Sequence, residues 1–120
     1  MVDRGYVDTC IFCKVAKGLV RAEIVHEDNA VVAFKDIHPQ APVHVLVIPR
    51  AHITALWEID TSHEALMGHI LIACNDVAEK LGVSQTGYRV VTNAGSDAGQ
   101  SVDHLHFHLL GGRKLEWPPG

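Results

Sequence analysis

Near the end of the chain, three histidines alternate with apolar residues: His104-Leu105-His106-Phe107-His108-Leu109-Leu110. Successive side chains of a β-strand point to opposite faces. His104, His106 and His108 are therefore expected in a row on one face, with Leu105, Phe107 and Leu109 on the other. The apolar face buries itself, and the imidazole row must line something polar: a metal, an anion or a reacting group. Imidazole titrates nearest neutrality of all side chains, so at pH 7 it serves as nucleophile, acid, base or ligand. It attacks through one nitrogen while the other carries the proton, and whatever accepts that proton fixes the tautomer. Crowded imidazoles also resist simultaneous protonation, which favours a neutral nucleophile.

The stretch before the histidines, residues 93–101, contains Gly95, Ala98 and Gly99. Such residues let backbone amides converge on one concavity, a nest suited to phosphate oxygens. At the other end of the chain, Cys10 and Cys13 stand at i and i+3, so a short helix or turn places both thiols on one face. A C-x-x-C pair in a chain with no export signal suggests metal or redox chemistry more than a disulfide framework. Two thiolates do not close a tetrahedral site; two more ligands are needed, and His52 and His104 are the candidates.

The histidine segment resembles the signature of the histidine-triad nucleotide hydrolases and transferases. The resemblance extends to residues 34–52, Phe-Lys-Asp-Ile-His-Pro-Gln-Ala-Pro-Val-His-Val-Leu-Val-Ile-Pro-Arg-Ala-His. It also takes in the loop Asn-Ala-Gly-Ser-Asp-Ala-Gly-Gln-Ser at 93–101 and the ending Trp117-Pro118-Pro119-Gly120. That ending is similar to the Hint branch, the purine nucleoside phosphoramidases. The resemblance implies an α+β fold, a five-stranded mainly antiparallel sheet with two helices. It implies that His106 becomes nucleotidylated, supported by His44, His104 and His108, with Ser101 near the leaving group. Asn93 and Gly99 match phosphate-loop positions. Asp36 matches the ribose contact, and Phe12, Val15, Phe34 and Ile37 match the walls around the base. The implied reaction is hydrolysis of a nucleoside 5′-phosphoramidate, with AMP or GMP released. Dinucleoside polyphosphate hydrolysis, as in the Fhit branch, nucleotide transfer, and a zinc-stabilised nucleotide-binding scaffold remain alternatives. A Cys2His2 zinc is similar to that of the uridylyltransferases and some bacterial Hint-like proteins; its expected ligands are Cys10, Cys13, His52 and His104, in a structural role. His38, Ala98 and Asp103 depart from the Hint pattern.

These residues need elements to position them. Asp8 or Thr9 is expected to cap a short helix ending at Lys17, with Gly18 as its stop. Residues 23–26 and 30–35 read as a hairpin about Asp28-Asn29. Residues 43–48 read as a third strand that Pro49 ends. Thr61-Ser62-His63-Glu64 reads as a capping box, followed by Leu66, Ile70, Ala73, Val77 and Leu81 at helical spacing up to Gly82. Cys74 lies on or beside that stripe and reads as a core thiol. Residues 88–93 and 103–110 complete five strands.

A chain of 120 residues, 48% hydrophobic, is expected to form a single domain over 1–120. Its net charge of −4 argues against a general nucleic-acid binder but leaves room for a mononucleotide. No apolar stretch has signal-peptide or membrane-spanning length, so a cytoplasmic location away from membranes is expected. Trp117, followed by two prolines, has no evident core to join in its own domain. A homodimer is expected, with residues 115–120 reaching toward the partner's site.

Overall fold

A computed structural model describes residues 5–120. Helix α1 (Ile11–Ala16) precedes strands β1 (Ile24–Glu27), β2 (Val31–Lys35) and β3 (Val43–Pro49). Helix α2 (Glu64–Lys80) follows, then β4 (Tyr88–Val91) and β5 (Phe107–Gly111). The five strands form one sheet in the order β1-β2-β3-β5-β4, with every pairing antiparallel.

Helices cover both faces of this sheet, so β2 and β3 read as nearly unbroken apolar runs. Side-chain alternation sorts them. Val31, Ala33, Val45, Val47, Phe107 and Leu109 face α2 and pack with Ile70, Ala73, Cys74 and Val77. Val32, Phe34, Leu46 and Ile48 face α1 and pack with Phe12, Val15 and Ala16. Burial lifts the Cys74 thiol to about 11, which keeps it protonated and unreactive. His44 shares the parity of Leu46 and Ile48, and His108 that of Leu110, so both imidazoles stand on the α1 side of the sheet.

Several local boundaries differ from the expectation. Cys10, not Asp8 or Thr9, caps α1: its Sγ accepts the Cys13 amide at 3.4 Å. Gly18 does end the helix, at φ 74°, with its N–H donated to Val15 and that of Leu19 to Lys14. The capping box lies one residue early. Asp60 accepts the Ser62 amide, His63 reaches back to the Asp60 amide, and a short 3-10 turn precedes α2. A carboxylate is the stronger acceptor at that end, and it displaces the Thr61–Glu64 pairing.

β5 starts at Phe107 rather than at 103, and the reason lies in its partner. The β3 register pairs Val47 with Phe107, so two residues further on it would set Pro49 against Leu105. Proline has no N–H to give. Leu105 turns its own N–H to the Ile53 carbonyl instead, at 2.6 Å. β4 correspondingly ends at Val91, and the Thr92 hydroxyl donates to the His106 carbonyl at 2.9 Å.

A further tie joins α2 to the β1–β2 turn. Asp28 accepts from the amides of Ala30 and Val31, and its other oxygen lies 2.7 Å from His69 Nε2 and 3.2 Å from His26 Nε2. Partial burial alone would raise this carboxyl, but those partners hold it well below the usual range. Neither histidine stood out in the sequence; both serve the packing of the turn.

Candidate active site and metal centre

The alternation expected of residues 104–109 holds even where the strand does not. Leu105, Phe107 and Leu109 enter the α2-side core, while Phe12 of α1 meets His104 and His106 edge-on at 6.0 and 5.2 Å. The imidazoles then diverge into two groups, and His104 stands at the boundary.

His104 is completely buried and both its nitrogens are committed. Nε2 meets the Pro49 carbonyl at 2.9 Å, so this nitrogen carries the proton. Nδ1 presents a bare lone pair to Cys10 Sγ at 3.3 Å and Cys13 Sγ at 3.6 Å, and His52 Nδ1 lies 3.3 Å from Cys13 Sγ. All four donor atoms lie within 4.8 Å of one another. Tetrahedral zinc with ordinary Zn–S and Zn–N bonds separates sulfur from nitrogen by about 3.5 Å, so the donor set fits the ion. The Pro49 carbonyl is the outer partner that such a ligand needs to fix its tautomer. Cys10, Cys13, His52 and His104 thus form a Cys2His2 zinc site. Four protein ligands leave no position for a bound water, which makes the role structural. Zinc pins α1 to the strand ends. His104, expected in both roles, keeps no ring nitrogen for a phosphate; it reaches the chemistry only through its carbonyl.

That carbonyl accepts His106 Nδ1–H at 2.6 Å. The bond sets the tautomer, leaving Nε2 as the lone-pair nitrogen. His106 is 3% exposed, and no described residue bonds its Nε2. Since no fully buried side-chain nitrogen among the described residues lacks a partner, Nε2 is the point at which the ring reaches solvent.

A relay leads to the same place. The Gln40 amide donates to His44 Nδ1 at 3.0 Å, so His44 Nε2 carries its proton and donates to His108 Nδ1 at 2.9 Å. His108 then holds its proton on Nε2, and its ring lies 5.1 Å from that of His106. Asp36 stands beside His44 Nε2 at 3.4 Å, while its other oxygen accepts the His38 amide at 2.8 Å. Asp36, His44 and His108 are close enough to surround a metal. The Gln40 amide opposes that use, because a metal on His44 Nε2 would drive the imidazole proton onto Nδ1, against a donor. This group is built to donate hydrogen bonds.

Burial is the main force on these imidazoles. It brings His108 down to about 4, with His106 and His44 adding to it and Asp36 opposing. It lowers His44 too, again against Asp36, and takes His104 to about 4 against the Pro49 hydrogen bond. All three are neutral at pH 7. Between about 4 and the unfolded value near 6.5, the unfolded chain binds more protons than the folded one at His108. Stability therefore rises with pH across that window. The melting temperature is expected to fall progressively as pH drops from 6.5 toward 4. A flat profile from pH 7 to 4 would contradict this assignment of neutral, buried imidazoles.

Phe12, Val15 and Phe34 form one cluster beside these rings. Ile37, expected to join them, stands 86% exposed on the loop after β2. Asn93 is half-buried, and Gly99 and Ser101 are exposed on the loop between β4 and β5. The nest is less open than expected: the Gly99 amide is donated to Ser96, that of Gln100 to Gly95, and that of Gly95 to the Gln100 side chain.

The HIT domain profile matches residues 17–115. The chain belongs to the HIT family. Its sequence is 50% identical to an uncharacterized HIT-like protein of Synechococcus elongatus over 110 residues, covering 92% of this chain and 96% of that one. It is 45% identical to a 14 kDa zinc-binding protein of Zea mays over 112 residues, covering 92% and 87%. The fold matches a HIT family hydrolase of Legionella pneumophila Philadelphia 1 with a TM-score of 0.91 and 47% identity, over 92% and 99% of the two chains. The family match begins after Cys10 and Cys13, so the thiols that complete this HIT protein's zinc site precede the matched stretch. Among the described residues, no helix is long and apolar enough to cross a membrane.

Proposed function

We propose that this HIT protein hydrolyses the phosphorus–nitrogen bond of purine nucleoside 5′-phosphoramidates. The observation that carries the reading is the tautomer of His106: Nδ1–H held by the His104 carbonyl, leaving the lone pair on Nε2, with the His108 ring 5.1 Å away. Nε2 attacks phosphorus, the P–N bond breaks, and the departing amine takes up a proton from solvent, which the attacking water of the second step gives back. Water then attacks the nucleotidyl-imidazole, releasing AMP or GMP and restoring neutral His106. Splitting the displacement in this way replaces one hard step by two easier ones. His108 Nε2–H donates to a non-bridging oxygen, where charge gathers in the transition state, and His44 holds His108 in the donating tautomer. In the same reading, residues 93–101 receive the phosphate with Asn93 and Gly99, Ser101 lies near the leaving amine, and Asp36 accepts the ribose hydroxyls. Phe12, Val15 and Phe34 flank the base, with Ile37 closing over it from the exposed loop. Zinc holds the scaffold and takes no part in the displacement. The resemblance of the triad, the loop and the Trp117-Pro118-Pro119-Gly120 ending to the Hint branch supports the substrate class, and the likeness to a HIT family hydrolase supports hydrolysis as the reaction type.

The test is a comparison of substrates. An adenosine 5′-phosphoramidate with a simple alkyl amine is expected to release AMP much faster than a diadenosine polyphosphate. The reverse preference would assign the chain to polyphosphate hydrolysis, and tight AMP binding without turnover of either would make it a binding scaffold.

The same reading makes the protein a homodimer. Trp117 is 80% exposed, and Arg89 of β4 donates to the Glu116 carbonyl just before it. An exposed indole on a stiff Pro-Pro tail suits an interface, and a dimer lets that tail reach the partner's leaving-group side. Sedimentation at micromolar concentration is expected to give a dimer; monomer alone would refute this.

A further inference from the structure

The loop that receives the phosphate is held by one side chain. The Gln100 carboxamide makes three hydrogen bonds, all to backbone. Its Oε1 accepts the Gly95 amide at 2.9 Å, and its Nε2 donates to the Thr54 carbonyl at 2.7 Å and the Val102 carbonyl at 3.0 Å. Its own amide donates to the Gly95 carbonyl at 3.1 Å, so Gly95 is gripped at both of its polar groups. Gly95 sits at φ 89°, where a side chain is strained, and a Cβ there would meet the Trp57 ring at 3.6 Å.

The decisive feature is where the bond to Thr54 leads. Gln100 ties the loop to the carbonyl of Thr54. The carbonyl one residue earlier, on Ile53, accepts the amide of Leu105, the residue between His104 and His106. Two consecutive carbonyls therefore hold the phosphate loop and the nucleophile segment, and both follow directly on the zinc ligand His52.

We propose that Gln100 is a positioning residue, which registers the phosphate loop against the nucleophile through the Thr54 carbonyl. The proposal rests on the function given above for what the loop binds, but not for what holds the loop. A misplacement of the order of 1 Å between nucleophile and phosphorus lowers turnover by about a hundredfold.

Gln100→Glu has the same length and keeps an acceptor for Gly95, but it turns oxygen toward the Thr54 and Val102 carbonyls. Expected are a loss of about a hundredfold in kcat/KM on the phosphoramidate, weaker AMP binding, and zinc still at one per chain. The Gly95 amide is expected to exchange with solvent faster, while α1 and α2 stay protected. The ratio of variant to parent activity should rise as pH falls, because a protonated glutamate regains one donor for the Thr54 carbonyl. Gln100→Met has no such group, so its deficit should keep the same ratio at every pH. It also carries the exchange measurement if the glutamate variant fails to fold. Parental Gly95 exchange in both variants, or a pH-independent ratio for Gln100→Glu, would overturn the proposal. If the parent neither binds AMP nor turns over the phosphoramidate while Gly95 exchange still quickens in the variants, the function fails and the positioning role stands.

Discussion

His106→Ala is expected to lower kcat on a nucleoside phosphoramidate by roughly five orders of magnitude while leaving AMP affinity within a few-fold. The substitution removes the only triad nitrogen that combines a fixed lone pair with access to solvent. His44 spends its nitrogens on the Gln40 amide and on His108, His108 accepts at Nδ1 and so carries its proton on Nε2, and His104 spends both of its own on the Pro49 carbonyl and the zinc site. No neighbour can substitute as nucleophile. The ring is buried against Phe12, so the variant is also expected to lose roughly 1–3 kcal/mol of stability, which binding measurements at low temperature tolerate. His108→Ala removes one donor to the phosphate and is expected to cost about a hundred- to a thousandfold in kcat, clearly less than His106→Ala. Near-normal kcat in His106→Ala would refute the mechanism.

The Cys10→Ser, Cys13→Ser double variant is expected to lose its zinc and melt roughly 10–20 °C lower, because metal binding to a Cys2His2 site contributes directly to folding. The loss reaches past the metal itself. Without zinc, the six-residue α1 keeps the Phe12, Val15 and Ala16 contacts on the sheet and the Arg50 hydrogen bond to the Ala16 carbonyl, but loses the anchor at its N-terminal end, and a helix so short does not hold itself. His104 remains held at Nε2 by the Pro49 carbonyl, so its own carbonyl still receives His106 Nδ1–H. Phosphoramidase activity is therefore expected to persist at reduced level at temperatures where the variant is folded. Metal analysis of the parent, purified without chelator, should give one zinc per chain. A parent without zinc and a double variant that melts like it would remove the site.

Period two made much of this structure legible from sequence. Alternation in residues 31–35, 43–49 and 104–109 separates the α2-facing apolar residues from the α1-facing ones, and it places His44 and His108 on one side without reference to any partner. The C-x-x-C pair is legible as half of a metal site, while the choice of His52 and His104 among nine histidines leans on the resemblance to Cys2His2 zinc-bearing HIT relatives. What the sequence withheld is set by backbone partners. Proline at 49 stops the β3–β5 ladder, so His104 and His106 lie before the strand and not in it. That break is what frees His104 to turn toward the thiols. The tautomers depend on the Gln40 amide and the Pro49 and His104 carbonyls, groups that every residue carries and that no composition marks. The Asn93 loop read as an open nest because its glycines allow one; the Gln100 side chain and local turns occupy three of its amides. Ile37 read as a wall because it is apolar and adjoins Asp36, but the loop after β2 leaves it in solvent.

The most direct test of the central claim is to mix the parent with excess nucleoside phosphoramidate, quench in base within the first turnovers, and map the adduct by peptide mass. Base preserves a phosphorus–nitrogen bond to imidazole that acid would cleave. The account expects one nucleoside monophosphoryl group per active chain, on His106 alone, formed at least as fast as AMP appears and lost on further incubation. Release of AMP at full rate with no adduct at any time, or with the group on His44 or His108 instead, would contradict it.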